Sequence, residues 1–298
     1  MSEGKVLTKE ELKTMKFDVV IGNPPYNKNI ITQDQEVYNH PAMNTEKEGY
    51  IGFFIIALQL LNSNGELIFI TPGKYMIGAG TINFRDWVSK NYNLTTIEFK
   101  DAKVFKTVSL DSIVVTTIRN EPYGKITNVI DVNGNSIKMN FTKNNNKIIP
   151  NFGDQQLFDN YSKVTEFVPY RTCANVGEYG DGSKQHFSKV KTNTHINPVC
   201  LEIVNETPVI SYTDLMSNHN SVTKWRVITN SAFSQDFALL PPGVELGFNK
   251  FGVAFEDENS AKEFLDWTKT HTWNKLWNGV NATRHTHVVI RNMPLSKI

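Results

Sequence analysis

A chain of 298 residues with 40% hydrophobic side chains can bury a sizeable core and has the length of about two domains. Its formal net charge of +1 excludes the strongly basic balance of a nucleic-acid coat protein, yet leaves room for a local basic groove. Only Cys173 and Cys200 are present, which argues against a disulfide framework and for a reducing, cytoplasmic compartment, and the apolar run Ile51 to Leu61 is shorter than the roughly 20 residues a membrane span needs.

Residues 1–16 read as one short helical lead with Thr8 as a candidate cap, without a basic-then-apolar leader. Phe17 to Gly22, centred on Val19, Val20 and Ile21, has the composition of a buried strand. Asn23-Pro24-Pro25-Tyr26 follows directly, and two successive prolines remove backbone donors and stop the strand. An amide, carbonyls without neighbouring N–H groups and a flat ring are thereby set at the carboxyl edge of a sheet, where open α/β folds bind ligands. That set suits methylation of an exocyclic amine. The Asn23 oxygen and the Pro24 carbonyl can each accept an N–H, favouring a more tetrahedral nitrogen, while Tyr26 can stack on a base turned out of its helix.

Asn27 to Glu46 is a polar loop able to close over a substrate. Glu48 to Asn62 predicts a buried helix, with Tyr50, Phe53, Phe54, Ala57, Leu58 and Leu61 at helical spacing, ended by Gly65. Gly65 to Pro72 predicts the next strand, Phe84 to Tyr92 a helix, Thr95 to Phe99 a strand and Asp111 to Arg119 a closing strand or hairpin partner. Gly78-Ala79-Gly80 lacks the spacing of a nucleotide-binding fingerprint and reads as loop. Between Asn120 and Asn151 the composition turns to asparagine, lysine and glycine, with a small hairpin over Ile126 to Val132 and Ser136 to Phe141, and a domain joint is expected there.

With the Asn-Pro-Pro-Tyr turn, the Glu48 to Pro72 helix and strand, Val104-Phe105 and the closing strand to Ile118 in this order, the chain resembles the gamma-class N6-adenine DNA methyltransferases. These include the methylase parts of type IIG restriction enzymes. The resemblance implies an α/β fold: a partial Rossmann-like methyltransferase sheet forming a catalytic subdomain over 1–120, then a mixed α+β target-recognition-like DNA-binding domain over 121–298. It implies S-adenosylmethionine as cofactor, double-stranded DNA as partner, Asn23, Pro24, Pro25 and Tyr26 as catalytic residues, and Phe105 facing a flipped adenine across from Tyr26. Taken alone, the four-residue motif also suits an ordinary turn or a proline-rich ligand segment, and Phe105 also suits core packing.

In the second part, Lys224 to Val227 and Gly252 to Phe255 predict strands, Asn259 to Thr270 a helix and Val288 to Ile290 a strand. Lys184, Lys189, Lys191, Lys224, Arg226 and Arg284, with Arg291, could supply a basic groove, though a scattered solvated face would explain each singly. Trp267, Trp273 and Trp277 suit either DNA stacking or core packing. Cys173, His186, His195 and Cys200 lack the close pairing of recognisable zinc ligands, so no metal is expected.

In the resembled family the cofactor site precedes the catalytic turn, and residues 1–16 cannot hold a glycine loop and its acidic partners. Three alternatives follow: an enzyme completed by a partner chain, a non-catalytic DNA-binding or interaction protein derived from such an enzyme, and a fragment of a longer one. Both functional alternatives predict a protein partner or self-association at an open sheet edge beside Phe17 to Gly22.

Overall fold

The computed structural model describes residues 8, 11, 14–26, 35–43, 48–101, 112–122, 124, 126–140, 148–169, 173, 175–176, 185–217, 219–230, 235–280 and 289–298. Phe105, Lys184 and Arg284 lie outside them. The chain divides into two compact units, 1–162 and 163–298.

In the first unit the apolar run Phe17–Gly22 forms strand β1 and pairs in parallel with β2, Leu61–Pro72. Between them runs helix α1, Gly49–Gln59, which is apolar on nearly every face because it lies between the sheet and its neighbours. Phe54 packs on Phe69 of the sheet at 5.1 Å and on Phe84 of α2, Ile82–Asn91, at the same distance. Helix α1 stops at Leu60 rather than at Gly65, which instead sits in a bulge of β2. There a Cβ would lie 2.9 Å from the Phe17 carbonyl, and regular pairing with β1 resumes at Glu66.

Strand β3, Asn93–Lys100, follows α2, and β4, Ile113–Arg119, then inserts antiparallel between β2 and β3. The closing strand is thus an interior one, which accounts for its alternately buried Ile113, Val114, Thr116 and Ile118. The hairpin of β5, Thr127–Ile130, and β6, Ser136–Met139, adds β5 in parallel to β3, giving a six-stranded sheet ordered β1-β2-β4-β3-β5-β6. Because this hairpin continues the first sheet and α3, Gln155–Tyr161, packs on it, the chain divides after Ser162 rather than near residue 120. Polar composition marked the hairpin's exposed turn, not the joint.

The second unit holds two small sheets. One carries β7, Phe187–Ser188, β8, Asn197–Val204, β9, Thr207–Thr213, and later β12, Glu245–Leu246, in the order β12-β8-β9-β7. Strands β8 and β9 turn through Asn205 and Glu206, both at positive φ, as a tight two-residue hairpin requires. The other joins β10, Trp225–Asn230, β11, Ala238–Leu240, and β13, Lys250–Phe255, in the order β11-β10-β13. Helices α4, Glu258–Thr268, and α5, His271–Val280, complete the unit, with Asp257 capping α4 through a bond from the Ser260 amide at 2.8 Å.

One open alternative closes here and one sequence expectation changes. Trp267, Trp273 and Trp277 are buried, Trp273 meeting Phe237, Phe264 and both other tryptophans, so they form core and cannot reach DNA. Val289 and Ile290 lie in a helical turn, not in a strand; the bridge in this region joins Phe167 to Pro294. No helix among the described residues is long and apolar enough to cross a membrane.

Candidate active site

Strand β1 brings its last residue, Gly22, against the Phe69 ring of β2, where a Cβ would stand 3.2 Å from the ring, so glycine allows the two strands to approach closely. The two prolines then turn the chain: Pro24 is buried, whereas Asn23 and Pro25 are exposed. Tyr26 folds back over this turn. Its hydroxyl donates to Asn23 Oδ1 at 2.5 Å and lies 3.5 Å from the Ile70 carbonyl of β2. Its ring meets Tyr50 edge-on, at 6.5 Å and 89°. Burial pushes the Tyr26 phenol above its ordinary range, more than the hydrogen bond to Asn23 pulls it down, so it stays protonated and can donate.

The structure therefore brings together Asn23 and Tyr26 and adds groups that sequence spacing had consigned to core. Tyr50, at the first turn of α1, supports the Tyr26 ring. Just ahead of it Glu48, the buried N-cap residue of α1, pairs with Lys74 at 3.0 Å, and Lys74 lies in the turn directly after β2. The entry of α1 is thereby tied to the end of β2, both of which frame the Asn23 corner. That Tyr50 and Glu48 follow the polar loop immediately was the available signal, masked by the helical periodicity of Tyr50.

What the corner can do follows from its donors and acceptors. A carboxamide oxygen has two lone pairs, and Tyr26 uses one, leaving one for an incoming N–H. The exposed amide is reachable from solvent, and the half-buried Tyr26 offers part of its ring surface.

The basic candidates separate. Lys189 and Lys191 are exposed on the loop before β8. Lys224 is held by Glu256 at 2.6 Å, which offsets its charge. Arg226 is 0% exposed: it points into the second unit and donates through Nη2 to the Pro241 and Val244 carbonyls at 2.9 and 2.6 Å, so it is not a DNA contact. Burial pushes its pKa down. His186 bonds Asp214 at 3.0 Å, His195 turns to the Gln185 carbonyl, and the buried Cys200 thiol, pushed up to about 11 by burial, faces the Glu202 carbonyl.

Residues 2–105 match the family model described as Eco57I restriction-modification methylase, a stretch that contains the Asn23 corner, α1, β2 and α2. Among curated proteins, a type II restriction enzyme and methyltransferase of Methanocaldococcus jannaschii is 26% identical over 153 residues, or 51% of this chain and 12% of that protein. Among solved structures, the type IIL restriction-modification enzyme MmeI in complex with DNA aligns over 92% of this chain and 45% of its own, at 9% identity and a TM-score of 0.53. The type IIG restriction endonuclease BpuSI aligns over 87% and 44%, at 12% identity and a TM-score of 0.41. The chain thus has a fold similar to that of MmeI and sequence similarity to restriction-modification methylases. It spans about an eighth of the curated relative and under half of each of these two solved chains.

Proposed function

We propose that this chain supplies the base-holding corner and a DNA-recognition part of a methyltransferase that modifies the N6 amine of adenine in double-stranded DNA, in the manner of restriction-modification methylases. The observation that carries the reading is the exposed Asn23 carboxamide at the end of β1, with the Tyr26 hydroxyl on its oxygen and the Tyr26 ring braced by Tyr50. The similarity of residues 2–105 to the Eco57I methylase family supports it.

The adenine amine is a poor nucleophile because its lone pair is delocalised into the ring. Asn23 Oδ1 accepts one of its N–H bonds through the lone pair that Tyr26 leaves free, and the Pro24 carbonyl accepts the other. The nitrogen then becomes more tetrahedral, with its lone pair turned outward. Tyr26 stacks on the extruded base, with Phe105 on the opposite face, which offsets unstacking by ~1 to 3 kcal/mol per stacked base.

S-adenosylmethionine supplies the electrophilic methyl group. The described residues make the amine's side of the site but no complete cradle for that donor: beside the corner, β1 is an edge strand with Val19 53% and Ile21 71% exposed. An apolar parallel strand of this composition is normally covered. In this reading further polypeptide pairs along β1 and holds the donor there, and the assembled enzyme is cytoplasmic. Methyl transfer by the chain alone would refute the need for that polypeptide. A chain that binds DNA but yields no N6-methyladenine when combined with the product of the neighbouring reading frame, or in native extract, would instead favour a non-catalytic DNA-binding protein.

A further inference from the structure

Three apolar side chains on the loop between β7 and β8 or just after β9 are exposed: Val190, Ile196 and Met216, at 65%, 52% and 72%. Single exposed apolar residues are ordinary, but Val190 and Ile196 lie on the same short loop as the exposed Lys189 and Lys191. Strands β7 and β8 pair with opposite edges of β9, so residues 189–196 must cross from one edge to the other. Asn197 Nδ2 donates to the Leu215 carbonyl at 3.1 Å, which sets the backbone of Ile196 beside that of Met216.

The crossing loop is held by its own bonds. Ser188 Oγ donates to the Val190 carbonyl at 2.7 Å, the Thr192 amide to the His195 carbonyl at 3.2 Å, and the His195 amide to Thr192 Oγ1 at 2.9 Å. Little ordering is therefore left to be done on docking. The carboxylate that follows β9, Asp214, is held ionised by its bond to His186, and the two lysines outnumber it.

We infer that this loop, with Met216 beside it, is a docking surface for duplex DNA, an inference that rests on the DNA reading above and gives it a location. Lys189 and Lys191 meet backbone phosphates, and Val190, Ile196 and Met216 seat against the groove wall between them. Lysine is depleted in the centres of protein interfaces, whereas cations beside apolar wedges such as Ile and Met are how proteins enter and bend a groove.

The test is a fluorescence-anisotropy titration of a mixed-sequence DNA duplex with the full chain over a salt series. Each phosphate contact contributes about 0.9 to the slope of log affinity against log salt, so Lys189→Gln with Lys191→Gln reduces the slope by about 2. Ile196→Ser with Met216→Ser weakens binding about tenfold at unchanged slope. Lys262→Gln, whose lysine pairs with Glu258 on α4, changes neither. A salt-dependent wild type whose slope survives the double lysine change, or falls equally in Lys262→Gln, overturns the loop assignment alone. A wild type with no affinity for the duplex overturns the DNA reading and the loop with it.

Discussion

Tyr26 occupies one lone pair of Asn23 Oδ1, and this fixes which way the carboxamide faces before any base arrives. The hydroxyl and the ring therefore do separable things. Tyr26→Phe keeps the stacking surface and loses the brace, whereas Tyr26→Ala loses both, including ~1 to 3 kcal/mol of base stacking. Single-turnover methyl transfer is predicted to fall modestly in the first and by a further tenfold or more in the second. Equal losses would place the whole effect in the hydroxyl. Arg226 gives the opposite kind of prediction. Its buried guanidinium donates through Nη2 to two carbonyls of its own unit while Nε and Nη1 have no hydrogen-bond partner among the described residues, so Arg226→Ala should lower thermal stability by about 1 to 3 kcal/mol and leave the salt slope of DNA binding unchanged. A variant of wild-type stability with a reduced slope would return Arg226 to the DNA face.

At the scale of elements, what could be read in the sequence depended on whether the signal was local. The β1 strand and its proline stop, α1, the regular part of β2, α2 and α4 each announce themselves by composition or period within a few residues. The β8 and β9 hairpin does not: Val204 and Val209 are exposed, and the turn rests on Asn205 and Glu206, of which only the asparagine is a favoured residue at positive φ. Helix α5 follows α4 almost at once, and the sequence left DNA stacking open beside core packing for its Trp273 and Trp277 because the core that buries them takes in Phe237, just ahead of β11 and distant in sequence, as well as Phe264 of the adjoining α4. At the site, Asn23 and Tyr26 were legible from the motif, while Tyr50 and the Glu48 to Lys74 pair needed the packing of α1 on β2.

One helix end carries a pH prediction. The Ser260 amide and hydroxyl bond the Asp257 carboxylate and hold its pKa below the usual range. A group depressed in this way stabilises the fold above its unfolded pKa, near 4, and loses that contribution as pH falls through the lower folded value. Asp257→Asn keeps a capping oxygen without the titration. Acid unfolding of that variant should thus show a shallower loss of stability below about pH 4 than the wild type; parallel curves would remove Asp257 from the acid response.

For the molecule as a whole, the first unit presents a sheet whose outermost strand is apolar and exposed directly beside the base-holding corner, and the second presents the lysine-bearing loop. The proposed division of labour places amine chemistry in the first and DNA docking in the second. The most direct measurement is N6-methyladenine formed in DNA from S-adenosylmethionine when the chain is co-expressed with the product of its neighbouring reading frame, comparing wild type with Asn23→Ala. The wild type is predicted to form it, and Asn23→Ala to lose the transfer rate by about a hundredfold or more while keeping its DNA affinity. Undiminished transfer in Asn23→Ala, or methyl groups placed on cytosine instead of adenine, would contradict the role assigned to the corner.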